Sequence, residues 1–209
     1  MRISIVVTIF CVLMFLSACS NPAADKSKAV TGEAAKTASP AAAAQGTKYL
    51  ITPQNSKIEF VGSQVTGHHN GSIQDFSGQI DYTGNVEQSR VNITIKTDSI
   101  TADVPDLTKH LKTADFFDVA KYPEATFVST AIKPGGEKGA SHTVTGNLSL
   151  HGVTKSITFP ATIAVTPDVA SVDADFSINR KDFGINYAGP ADNLIRNDVV
   201  LTLHIRANK

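Results

Sequence analysis

Tryptophan is absent from the 209 residues, and cysteine and methionine occur twice each. Both cysteines, Cys11 and Cys19, stand near the start, so everything after Cys19 is free of thiols. That excludes a disulfide framework and thiolate chemistry, and leaves burial to supply stability. Neither sign of charge is in excess, with 19 Lys plus Arg against 19 Asp plus Glu. No basic block or aromatic-interleaved basic stripe occurs, which makes nucleic acid and strongly anionic membrane surfaces poor partners. Long apolar runs are scarce too. The one at Ile3 to Leu16 is shorter than the roughly 20 residues of a spanning helix.

Sequence signatures of chemistry are also missing. There is no G-x-S-x-G, no H-E-x-x-H and no C-x-x-C. His68 and His69 are adjacent, so in an extended chain they point opposite ways. The carboxylates are scattered on alternating positions such as Asp173 and Asp175, as on a solvated face. We therefore expect no catalytic residue, no metal site and no cofactor. Two readings compete with simple binding: an enzyme using His68, His69 or His110, and an interaction scaffold.

What is present begins with an address. Arg2 and the run to Leu16 have the layout of a secretory signal. The run ends in Leu16-Ser17-Ala18-Cys19, which resembles a lipobox. The resemblance implies a signal peptide over residues 1–18 and a mature chain acylated at Cys19, hence a membrane partner through the acyl chains. The alternative is an ordinary signal cleaved near Ala18. Ser20 follows the cysteine, and the common sorting rule then implies an outer-membrane lipoprotein facing the periplasm. Residues 19–47 are rich in alanine and interrupted by Pro22, Gly32, Pro40 and Gly46. Such a stretch buries too little surface to offset its ordering entropy, so it is expected to be a flexible tether.

Residues 48–209 alternate. Val144, Gly146, Leu148 and Leu150 share one parity, and Ile157, Phe159, Ala161, Ile163 and Val165 share another beyond His151-Gly152. A period of two means strands with one apolar and one wet face, joined here by a tight hairpin. Similar runs cover Tyr49 to Ile51, Lys57 to Gly62, Gln74 to Tyr82, Arg90 to Thr97, Ala125 to Ile132, Val172 to Asn179 and Val199 to Ile205. Leu107 and Leu111 suggest a short helix starting near Asp106. About eight strands at short spacing, with one or two short helices, predict an all-β antiparallel barrel, with a sandwich as the alternative. The residues expected inward are Phe60, Phe76, Ile80, Ile93, Phe127, Leu148, Phe159, Phe176, Ile178 and Leu201. Patterning cannot separate a packed core from a ligand cavity. Gly78, Gly146, Ala161 and Ala174 on the inward parity are expected to leave room.

Three segments carry a family resemblance. They are Asp115 to Thr130 (DFFDVAKYPEATFVST), Gly146 to Lys155 (GNLSLHGVTK) and Asn179 to Gly184 (NRKDFG). They resemble the signatures of the YceI-like family over roughly Lys48 to Ala207. The resemblance implies a lipocalin-like barrel holding a long apolar isoprenoid chain, such as a quinone or polyprenyl tail. It also points to His69 as a head-group contact, although this chain departs from many relatives in having two histidines there and no Trp. Arg180 and Arg196 bracket the loop after the penultimate strand. Either they meet a ligand head group through the planar guanidinium, or they pair with Asp and pin the loop. A homodimer is compatible with the sequence.

Overall fold

The computed structural model describes residues 21–35 and 46–209. The signal segment, Cys19 and the middle of the expected tether lie outside the described residues. Among the described residues there are thirteen strands: β1 (Ser27–Lys28), β2 (Val30–Glu33), β3 (Thr47–Ile51), β4 (Lys57–Ser63), β5 (His68–Ile73), β6 (Phe76–Tyr82), β7 (Arg90–Lys96), β8 (Ile100–Ala102), β9 (Glu124–Pro134), β10 (His142–Leu150), β11 (Val153–Val165), β12 (Val169–Asn179) and β13 (Asp198–Asn208). One α-helix, α1 (Pro105–Leu111), follows β8.

Strands β3 to β13 form eight long staves. Three staves are broken once: β3 with β4, β5 with β6, and β7 with β8. The staves neighbour one another in chain order, and β13 closes the ring. It pairs with β12 on one edge and with β4 and β3 on the other. The result is the closed antiparallel barrel of eight strands that the alternation predicts. Closure removes exposed sheet edges. None of the alternating runs of the sequence covers β5. Glycine and histidine are poor strand formers, but pairing to β4 and β8 overrides propensity.

The His151-Gly152 hairpin forms as expected. Leu150 faces Val153, and both turn residues have positive φ, 51° and 75°. Two left-handed residues match the right-handed twist of the flanking strands.

The tether expectation needs correction for its described part. β1 runs parallel to β12, and β2 runs antiparallel to β11. The strap that they form, Ser27–Glu33, therefore lies between β11 and β12. Ala29 is 5% exposed and belongs to the barrel's apolar cluster. Asn147 takes Ala35 on both sides: its Oδ1 accepts from the Ala35 N–H at 3.0 Å, and its Nδ2 donates to the Ala35 carbonyl at 2.7 Å. Composition suggested disorder because the segment lacks large apolar residues. Here backbone pairing to a ready-made wall supplies what side chains do not.

Candidate ligand chamber

The inward side chains of the barrel enclose apolar voids in series. The larger, about 180 Å³, lies beneath α1 and the loop between β12 and β13. It is bordered by Phe60, Ile100, Leu111, Phe116, Ile185 and Ile195, among others. The next, about 100 Å³, is deeper and is lined by residues that include Ile93, Phe127, Phe159 and Phe176. Ile58, Ile95 and Leu148 border both and form the partition between them. Neither void presents polar surface. In the deeper one Phe159 stacks on Phe176 with centroids 4.1 Å apart and rings 9° from parallel, while Phe127 lies 5.8 Å from Phe159. A void walled by carbon offers water no partner, so it suits an apolar tail.

Of the residues expected inward, Ile80, Ile93, Phe127, Leu148, Phe159 and Phe176 line the deeper chamber, and Phe60, Leu148, Ile178 and Leu201 line the larger. Phe76 is buried in the cluster of Tyr49, Ile51, Ile80 and Ile93 but lines neither chamber. Sequence reasoning missed Ile58, Ile95, Ile185 and Ile195. The last two lie on an irregular loop, where no period tells inside from outside.

The small residues do not make the room. Gly78, Gly146, Ala161 and Ala174 line neither chamber. A Cβ on Gly146 would stand 2.4 Å from the Phe127 ring, and one on Gly78 would stand 2.4 Å from the Asn92 carbonyl oxygen. These glycines admit a neighbouring ring and a neighbouring backbone. The voids arise instead between large aliphatic side chains.

The charged candidates also resolve differently. Arg180 is 4% exposed and borders the larger chamber. Its Nη1 donates to the Ile185 carbonyl at 2.7 Å, Nε to that of Arg196 at 3.1 Å, and Nη2 to that of Ile195 at 3.3 Å. It therefore pins the loop, as one reading held, but through backbone carbonyls and not through Asp. Burial lowers its pKa from the ordinary value. Arg196 lines neither chamber, and its N–H donates to the Ser63 carbonyl at 2.8 Å.

His69 lines neither chamber: its Nδ1 lies 2.9 Å from Asp103 Oδ1, and both side chains are partly exposed. Asp103 Oδ2 also accepts from the Asn70 N–H, and that bond is the main reason its carboxyl stays below the usual range. His110 pairs with Asp115 at 2.8 Å and packs edge-on against Phe116 and Tyr187 above the larger chamber. Among the described residues no three His, Cys, Asp or Glu side chains converge, and no helix is long and apolar enough to cross a membrane.

A roomier cleft, about 540 Å³, lies outside the barrel where the strap crosses the turn Glu137–Gly139. Part of its polar lining is paired, with Lys26 on Asp175 and His204 on Asp173. It is wide open to water, so it cannot desolvate a tail, and the interior chambers are the better site.

Comparison with known proteins agrees with this architecture. A UPF0312 protein of Pseudomonas putida is 40% identical over 136 residues, which is 62% of this chain and 70% of that protein. A UPF0312 protein of Pseudomonas fluorescens is 38% identical over 138 residues, or 63% and 71% of the two chains. Among solved structures, BcnA of Burkholderia cenocepacia superposes with a TM-score of 0.67 at 26% identity, over 76% of this chain and 99% of its own. A polyisoprenoid binding domain from Saccharophagus degradans shares the fold with a TM-score of 0.62 at 17% identity, over 78% and 99%. The model of the YceI-like domain matches residues 49–207, and the chain belongs to that family.

Proposed function

We propose that this protein is a non-catalytic lipid-binding lipoprotein that shelters an isoprenoid-type tail inside its barrel, at the periplasmic face of the outer membrane. The pair of wholly apolar chambers carries this reading. Each is smaller than the roughly 300–1,000 Å³ typical of ligand pockets. A long tail therefore occupies both chambers by displacing the partition of Ile58, Ile95 and Leu148 between them. Burial of each methylene contributes about 0.8 kcal/mol, so a tail of several isoprene units needs no polar contact to bind. The head group then sits under α1 and the Arg180-pinned loop. Membership of the family and the fold shared with a polyisoprenoid binding domain support the same reading. The Leu16-Ser17-Ala18-Cys19 sequence supports anchoring through acylated Cys19.

One preparation tests both parts. The full-length protein and its Cys19→Ser variant are expressed in a two-membrane bacterium, fractionated and examined by native mass spectrometry with lipid extraction. We expect the parent in the membrane fraction with one equivalent of apolar-tailed lipid, and the variant released from it. A variant that stays membrane-bound contradicts the anchor. A parent that carries no lipid and takes up no added geranylgeraniol contradicts the binding function and favours a filled scaffold.

A further inference from the structure

β11 and β12 are chain neighbours, yet they pair only over Thr162–Val165 with Ala170–Asp173. Beyond that they separate. Over the rest of its length β12 keeps its other partner, β13, up to Asn179. The gap on the β11 side is filled by the strap. Ser27 and Lys28 take Phe176 and Ser177, and Val30 to Glu33 take Thr158 to Lys155. This seam is closed by a segment that is not one of the eight staves.

The seam opens on the chamber. Ile157 and Phe159 on one side and Phe176 on the other are chamber-lining residues, and Ala29 packs between them. The strap itself is lightly held. Val30 is 70% exposed, and Ala29 is the apolar side chain it buries in the barrel cluster. The Ser27 hydroxyl is buried without a hydrogen-bond partner. Solvent-exposed ion pairs, Lys26 with Asp175, Lys28 with Asp198 and Glu33 with Lys155, fasten its length. Such pairs hold weakly and are screened by salt. Few buried apolar contacts mark an element that opens locally before the rest of the fold.

We infer that the strap Ser27–Glu33 is a lateral gate: its withdrawal from between β11 and β12 lets an apolar tail pass through the barrel wall into the deeper chamber. This rests on the lipid-binding function proposed above. It solves an access problem, because α1, Phe116 and the Arg180-pinned loop cover the end of the larger chamber. In the acylated form, Ser27 is the eighth residue after Cys19. At about 3.3–3.6 Å per residue those eight steps reach at most roughly 26–29 Å, which keeps the gate within that distance of the bilayer that supplies the lipid.

The test locks the strap. Gly32 faces Ser156 across the antiparallel pair, and a Cβ at Gly32 meets nothing within 4 Å. Antiparallel partners stand about 4.5–5.5 Å apart at Cα, within disulfide range. Gly32→Cys/Ser156→Cys is made in the full chain with Cys11→Ser and Cys19→Ser. Transfer of nitrobenzoxadiazole-labelled geranylgeraniol from phosphatidylcholine vesicles is then timed. The oxidised pair should load at least tenfold more slowly than the reduced pair, with final uptake equal within twofold. Lys26→Ala/Lys155→Ala, which loosens the strap without touching the chamber, should load faster than the parent. Equal rates for oxidised and reduced protein, with normal final uptake, overturn the gate alone. No uptake by any form at equilibrium overturns the lipid-binding function and the gate together.

Discussion

Arg180 shows how one residue can serve a site without facing its ligand. Among the described residues it has no carboxylate partner, and its guanidinium spends three donors on the carbonyls of Ile185, Ile195 and Arg196. That clamp holds Ile185 and Ile195 over the larger chamber. Arg180→Leu would leave buried carbonyls without donors, at about 1–3 kcal/mol each. We expect a loss of at least about 2 kcal/mol in urea unfolding, with Arg180→Lys recovering only part, since an ammonium cannot reproduce the planar fork. A loss within about 0.5 kcal/mol for Arg180→Leu, the ordinary scatter of surface substitutions, would mean that the loop is held by other contacts. The sequence placed Arg180 in a charged cluster and in a family signature. It could not distinguish a carbonyl from a carboxylate partner, because the carbonyls belong to residues 5 to 16 positions away along the chain. Gly146 makes a related point. Its small size read as empty space, whereas the space is taken by Phe127 from the facing strand.

At the level of elements, the staves were legible and their accessories were not. The hairpin of β10 and β11 follows from strict alternation around His151-Gly152, and its register runs unbroken from Leu150↔Val153 to His142↔Ala161. Gly152 has φ 75°, and a Cβ there would stand 2.5 Å from the Tyr122 ring. Gly152→Ala should therefore cost about 1–2 kcal/mol for the left-handed backbone alone, with displacement of Tyr122 adding to it. Thermal melting checks this, and an unchanged melting temperature would show that the turn relaxes to another type. The strap escaped the sequence reading for a physical reason. Its seat in the wall admits only Ala29, so it carries none of the large alternating residues by which a strand is recognised. β5 was hidden in the same way by Gly71, whose missing Cβ lets the Phe60 ring lie across it.

For the whole molecule, period-two patterning and chain-order pairing made a closed barrel legible, because closure follows when eight such strands leave no free edge. Whether the interior was full or hollow could not be read, since void volume depends on how rotamers mesh and not on which residues point inward. The proposed function puts an apolar tail inside this barrel. The absence of tryptophan makes a direct measurement available. Phe127 lines the deeper chamber, and its chain neighbour Val128 is 36% exposed on the outer face. Phe127→Trp and Val128→Trp thus give single reporters on the two sides of one wall. Each is titrated with brominated farnesol, whose bromine quenches indole fluorescence at contact. A tail in the deeper chamber gives saturable, stoichiometric quenching of a blue-shifted indole at position 127 and little quenching at position 128. Equal quenching at both positions, or none at position 127, would contradict it.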